Sequence, residues 1–282
     1  MESTIAQAEP LSARGFVPPE ERPRAPAPSG PSRLADVLLG VDLRALALLR
    51  VAIAATLLVD LAVRAGDLAA HYTDFGVLPR SALLGRFAGP WVVSLHLING
   101  TAPIQGMLLA CAALAALALL VGWRTPRAAL VSWILLISLH ARNPVVLQGS
   151  DLLLRMLLFW GLFLPLGARY SIDHALNVSR EPPPARVAWP ASAALLLQVA
   201  IMYLFSAAHK HGPDWWNGTA IANALQIDHF AKPLGQQLAA FGPNLWPLTY
   251  LVLAVEWLAP ILLFVPIGRR WLRREALIAL AA

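Results

Sequence analysis

Cysteine occurs once in 282 residues, at Cys111, so the chain forms no internal disulfide and has no set of thiolates for a zinc or iron–sulfur centre. Lysine is almost as scarce: against 20 arginines stand only Lys210 and Lys232. Charged side chains make up 13% of the residues and apolar ones 58%, with mean hydropathy +0.61. Those proportions exclude an ordinary soluble domain and indicate a polytopic membrane protein. No zinc finger, basic helix or aromatic–basic interleaving is present, so the basic balance does not point to nucleic acid. No internal repeat supports an alternating-access transporter, although flux along intramembrane charges stays among the alternatives.

What is there is apolar and long. A bilayer core takes about 20 apolar residues of helix, and six stretches qualify: Ala45 to Val63, Ile104 to Val121, Ala128 to Leu147, Leu152 to Leu166, Ala191 to Ala208 and Trp246 to Pro266. The sequence therefore predicts an all-α fold, a transmembrane bundle of about six spans with interfacial or re-entrant helices between them. Residues 1–34 carry seven prolines and no apolar periodicity, which predicts a disordered Pro/Ala-rich tail rather than a signal peptide. The membrane domain is expected over 35–282, with a short apolar run, Ala276 to Ala282, that reads as a truncated span or an interfacial helix. With the tail in the cytoplasm, fourteen arginines fall on inner segments and six basic residues on outer ones, which sets the orientation in the cell membrane.

Three segments then face outside: Arg64 to Pro103, the turn near Gly149, and His209 to Leu245. The first holds His71, Tyr72, Thr73, Asp74, Phe75 and Gly76. The second adds Arg142, Asn143, Pro144 and Asp151. Four charges lie within spans, where each costs about 2.5 to 3.5 kcal/mol and needs an interior partner: Arg50, Asp60, Arg155 and Glu256. By depth, Asp60 and Arg155 share the outer leaflet, Glu256 is near the midplane and Arg50 lies deeper. Asp151 and Arg155, four apart on one helix, form an expected pair. Ion pairs that fix helix register account for all of these without catalysis.

The third segment begins where an apolar run ends in His209, Lys210 and His211, followed by Asp214, Trp215, Trp216, Asn217, Gly218 and Thr219. An amine desolvated at the end of a span, with protonated imidazoles beside it, would be driven toward its neutral form and could act as a base. The plainer reading is a snorkelling lysine with Trp215 and Trp216 as aromatic belt. His209 and His211 do not make a metal site with His229 or Asp228, because on a helix their rings diverge by about 200°. Three N-glycosylation patterns, at Asn99, Asn177 and Asn217, mean little in a chain whose Ala, Leu and Arg bias suggests a bacterial source.

The stretch from Tyr203 through Lys210, Asp214, Trp215 and Gly218 resembles the vitamin K-dependent gamma-carboxylase family and its bacterial relatives, the HTTM (horizontally transferred transmembrane) domain proteins. Tyr72 to Pro79 is similar to that family's first loop. Arg142, Asn143 and Pro144, with Asp151, Leu154, Arg155, Phe159, Trp160, Leu164 and Pro165, are similar to its fourth-span motif. The resemblance implies an outward pocket for a hydrophobic quinone or lipid, with Lys210 as the base that deprotonates a reduced quinone such as vitamin K hydroquinone. It also implies that His209, His211, Asp214, Trp215, Tyr72, Asn143 and Arg155 line the pocket, and that membrane lipid, a quinone and an exported peptide are partners. Two departures stand against the carboxylase pattern. Gln148, Gly149, Ser150 and Asp151 occupy the place of the family's histidine, and no strand-rich region follows Pro266. An accessory or maturation factor for an exported peptide, without catalysis, is the other expectation.

Overall fold

A computed structural model describes residues 39–86, 93–177, 186–227 and 233–264. The tail 1–34, the run Ala276 to Ala282, and Asp228, His229 and Lys232 lie outside the described residues. Among those described, twelve α-helices and one short strand pair occur, so the fold is all-α. The long helices are α1 (Leu43–Gly66), α4 (Ala102–Val121), α5 (Thr125–Arg142), α6 (Gly149–Gly161), α8 (Pro190–His209) and α12 (Trp246–Leu262). Between them run the short helices α2 (Leu68–Tyr72), α3 (Arg80–Arg86), α7 (Ile172–Leu176), α9 (Pro213–Trp216), α10 (Ala220–Ala224) and α11 (Pro233–Ala239).

α1, α4 and α8, with 24, 20 and 20 residues, are long and apolar enough to cross a membrane. α5 has 18 residues but carries Arg127, His140 and Arg142, which lower its apolarity. α6, with 13 residues, is about 20 Å long and α12, with 17, about 25 Å. The six expected spans thus coincide with the six longest helices, but only three meet the length and apolarity of a crossing. The expected ends of two spans are corrected. α5 stops at Arg142 rather than Leu147, because Asn143 precedes Pro144 and is pushed to extended backbone (φ −143°, ψ 90°). α6 stops at Gly161 rather than Leu166, with Pro165 beyond it, and apolarity alone did not reveal either break.

α1 packs on α4, α4 on α5, α5 on α6, α6 on α8, and α8 on α12, while α1 also meets α6. The central core joins Ile53, Ala54 and Leu57 of α1, Ala116 and Leu119 of α4, Ala129 and Leu136 of α5, and Leu154 and Leu158 of α6. Alanine at Ala54, Ala116 and Ala129 lets these backbones approach closely, the usual solution where lipid supplies no hydrophobic drive between helices. At the other end of the bundle from Arg64, β1 (Val41–Asp42) pairs antiparallel with β2 (Arg186–Val187). Arg186 Nη2 donates to Gly40 O at 2.6 Å and Ser192 Oγ to Leu39 O at 2.9 Å, so the starts of α1 and α8 are clipped together. Nearby, Arg50 is 1% exposed and donates to Tyr170 O at 2.6 Å. It fits because Gly122 has no side chain: a Cβ there would lie 2.0 Å from Arg50 Nη1, and φ is +71°.

Candidate functional site

α8 ends at His209 with Lys210 as its cap, since Gly212 and Pro213 cannot continue the helix. Lys210 Nζ forms an ion pair with Glu256 of α12, donates to Ser206 Oγ at 3.0 Å and lies 5.2 Å from the centre of the Trp215 ring. Their side chains are 20% and 13% exposed, and Glu256 Oε2 is buried without a partner. Glu256 sits ten residues into α12, about 15 Å along its axis. The end of α8 is therefore recessed, and α9 and α10 pass across the first turn of α12. Thr249 Oγ1 donates to Gly218 O at 2.9 Å and Tyr250 OH to Trp216 O at 2.7 Å. Gly218 (φ +76°) allows this approach, since a Cβ would stand 2.9 Å from the Trp246 side chain.

The expected surroundings of Lys210 are only partly present. Its neighbour is a carboxylate, so it is an ion pair rather than an amine isolated against apolar surface. His209 and His211 are exposed; the His209 ring pairs through Nδ1 with Phe205 O at 2.7 Å. Asp214 is exposed and its Oδ1 accepts from Thr219 Oγ1 (3.2 Å) and Asn223 Nδ2 (3.0 Å), which holds α9 to α10. Of the residues expected with Lys210, Trp215 alone is in contact with it among the described interactions.

Tyr72 belongs to a second group, built around Arg64; Asn143 bonds to the His71 carbonyl beside it, and Arg155 acts electrostatically on His140. The Arg64 guanidinium donates from Nε to Asp60 (2.8 and 2.9 Å), from Nη1 to Tyr72 OH (2.7 Å) and from Nη2 to Asp151 Oδ1 (2.7 Å). It thus joins α1, α2 and α6. Asp151 Oδ2 accepts from Gln148 N at 2.8 Å and caps α6, so both its oxygens are engaged away from Arg155 and the expected Asp151–Arg155 pair does not form. Arg155 Nε is buried without a partner. A cavity of about 290 Å³ opens here, lined by Asp60, Asp67, His71, Tyr72, Gln148 and Asp151 among others. Among the described residues, the segment from His209 to Leu245 contributes nothing to that lining. Burial pushes the Tyr72 phenol above its usual 10.0, with the Arg64 hydrogen bond opposing. Among the described residues, Asp60, His140 and Asp151 could together hold a metal, with ligand atoms within 4.8 Å of one another.

The first-loop motif is explained by folding. Asp74 pairs with Arg80 at 2.7 Å, whose hydrogen bond holds that carboxyl below the usual carboxylate range. Arg142, 0% exposed, donates to Leu78 O (2.9 Å) and Thr73 O (3.0 Å), and Asn143 Nδ2 to His71 O (2.9 Å). Gly76 is required because a Cβ would meet Ala70 O at 2.2 Å. Sequence reasoning missed two residues. Arg64 was counted as a loop charge, although its place four residues after Asp60 was a usable signal, and His140 had none. Compared with known families, curated proteins and solved structures, the chain finds no match in any of the three.

Proposed function

We propose that the chain is an integral membrane protein of the carboxylase-like, HTTM-domain class that takes a hydrophobic reduced quinone, or a similar lipid, near the recessed end of α8. In this reading all six long helices cross the cell membrane, with the tail cytoplasmic and Lys210 toward the outside; the bilayer thins around the shorter ones. One observation supports it above the others: one of only two lysines in the chain is held under an aromatic ring against a half-buried carboxylate whose buried Oε2 has no partner. In its ionic form the pair has room for one more proton, on Glu256. A hydroquinone O–H that releases its proton to Glu256 leaves an anion beside the Lys210 ammonium, which stabilises it. Oxygen then adds, and hydroquinone plus O₂ gives quinone epoxide plus water.

The test is mass spectrometry of a naphthohydroquinone incubated with purified protein under oxygen. Epoxide from the wild type, and none from Lys210→Ala or Glu256→Gln, is the expected result. Its absence from folded wild type refutes the catalytic reading. A second reading, a non-catalytic accessory factor for an exported peptide, is favoured by the engagement of Tyr72, Asp74, Arg142 and Asn143 in hydrogen bonds and ion pairs that hold the fold.

A further inference from the structure

We infer that Asp60, His140 and Asp151 form a site for a divalent transition-metal ion, independent of the quinone chemistry proposed for Lys210. The three side chains come from α1, α5 and α6, their ligand atoms lie within 4.8 Å of one another, and Asp60 and Asp151 line the 290 Å³ cavity. His140 Nε2 is 3.8 Å from Asp151 Oδ1. Ligands at about 2.0–2.1 Å from a tetrahedral ion stand about 3.3 Å apart, so that pair closes on a metal with shifts of a few tenths of an ångström.

The imidazole is the decisive observation. His140 is 1% exposed and neither of its ring nitrogens has a hydrogen-bond partner. An ion coordinated through Nε2 gives one of them a partner, in a place that water-filled space cannot explain by exposure alone. The carboxylates already show the demand for a cation: Arg64 spans Asp60 and Asp151, using the same Asp151 Oδ1 that His140 faces. A guanidinium brings a single charge and only donors, so it satisfies the carboxylates and leaves the imidazole lone pair unused. A divalent ion takes both. Arg64 is then released from the carboxylates, keeps its bond to Tyr72 OH and turns toward the cavity. Arg155 also acts electrostatically on His140 and opposes the ion, as Arg64 does. Two carboxylate oxygens with one imidazole suit Zn²⁺, Mn²⁺ or Fe²⁺, the cavity supplying water for the remaining positions.

The experiment uses the full chain in detergent, without a polyhistidine tag, stripped by chelator and titrated with Co²⁺ as a spectroscopic probe. The visible absorption of bound Co²⁺ and calorimetry report coordination and stoichiometry. One Co²⁺ per chain is expected, weakened at least about tenfold in His140→Ala and in the nearly isosteric Asp60→Asn. Arg64→Gln, which removes the competing cation, is expected to bind more tightly, and Lys210→Ala to bind as the wild type does. Helical circular dichroism checks that each variant is folded; should His140→Ala not fold, Asp60→Asn and Arg64→Gln still give opposite predicted shifts. The inference is overturned by folded wild type that binds no Co²⁺. It is equally overturned by binding that survives Asp60→Asn unchanged, or that disappears in a His209→Ala/His211→Ala variant instead.

Discussion

Replacing Arg142 with methionine tests whether the end of α5 holds the loop of residues 73–79 in place. The guanidinium is fully buried and makes two hydrogen bonds, to the carbonyls of Leu78 and Thr73, at 2.9 and 3.0 Å. Bonds from a charged donor contribute about 1.5–3 kcal/mol each, a gross loss of about 3–6 kcal/mol. Part of this is returned, because Nε is buried without a partner and the charge no longer has to be desolvated. Asp74, 3.8 Å from Nη2, retains Arg80 and so is not orphaned. The net destabilisation is therefore expected near the lower end, about 2–3 kcal/mol. Denaturant titration in mixed micelles, followed by circular dichroism, measures it. Limited proteolysis gives the local readout, since residues 73–79 should become cleavable before the helices unfold. A loss under about 1 kcal/mol with an uncleaved loop would refute the assignment of this arginine as the loop's anchor.

Lys210→Met leaves the Glu256 carboxylate with Ser206 alone and should cost about 3 kcal/mol, the low end for breaking a buried pair, because both partners retain some exposure. Lys210→Met/Glu256→Leu should recover most of that loss, and a double-mutant cycle by thermal unfolding reads the coupling. Gly122→Ala should destabilise by at least about 1–2 kcal/mol, the cost of left-handed backbone for a residue with a Cβ, with Arg50 displaced in addition; an unchanged melting temperature would count against the described packing. Because the folded Tyr72 value is raised above 10.0, the stability it contributes is fully present below pH 10 and is lost as pH rises through the folded value. Unfolding measured from pH 8 to 12 should thus fall less steeply at the alkaline end in Tyr72→Phe than in wild type.

The sequence made α1, α4 and α8 legible because about twenty mostly apolar residues in a row have few alternatives, and their limits fell within three residues of those expected. The ends of α5 and α6 were misplaced where apolarity continues past Pro144 and Pro165 while the backbone does not. Lys210 stood out by rarity, but its partner is 46 residues away, and nothing in the nearly uniform apolar pattern of α12 says which way Glu256 turns. The same blindness to helix rotation gave Asp151 to Arg155. Local spacing suggested that pair, yet the first turn of α6 aims one oxygen at its own cap and the other at α1. The spacing of Arg64 from Asp60 was readable locally, but its bonds to Tyr72 and Asp151 come only from the packing of three helices that no local pattern relates.

The clip between the starts of α1 and α8 sets a schedule for assembly. Gly40 and Arg186 are separated by 146 residues, so a ribosome adding about 5–20 residues per second makes the second half roughly 7 to 30 seconds after the first. For that interval the leading end of α1 is unfastened, while α4, α5 and α6 can already close around Ile53 and Leu57. In the order of synthesis the clip thus closes after every residue of the central core in α1, α4, α5 and α6 has been made, so α1 is tied down last at its own beginning.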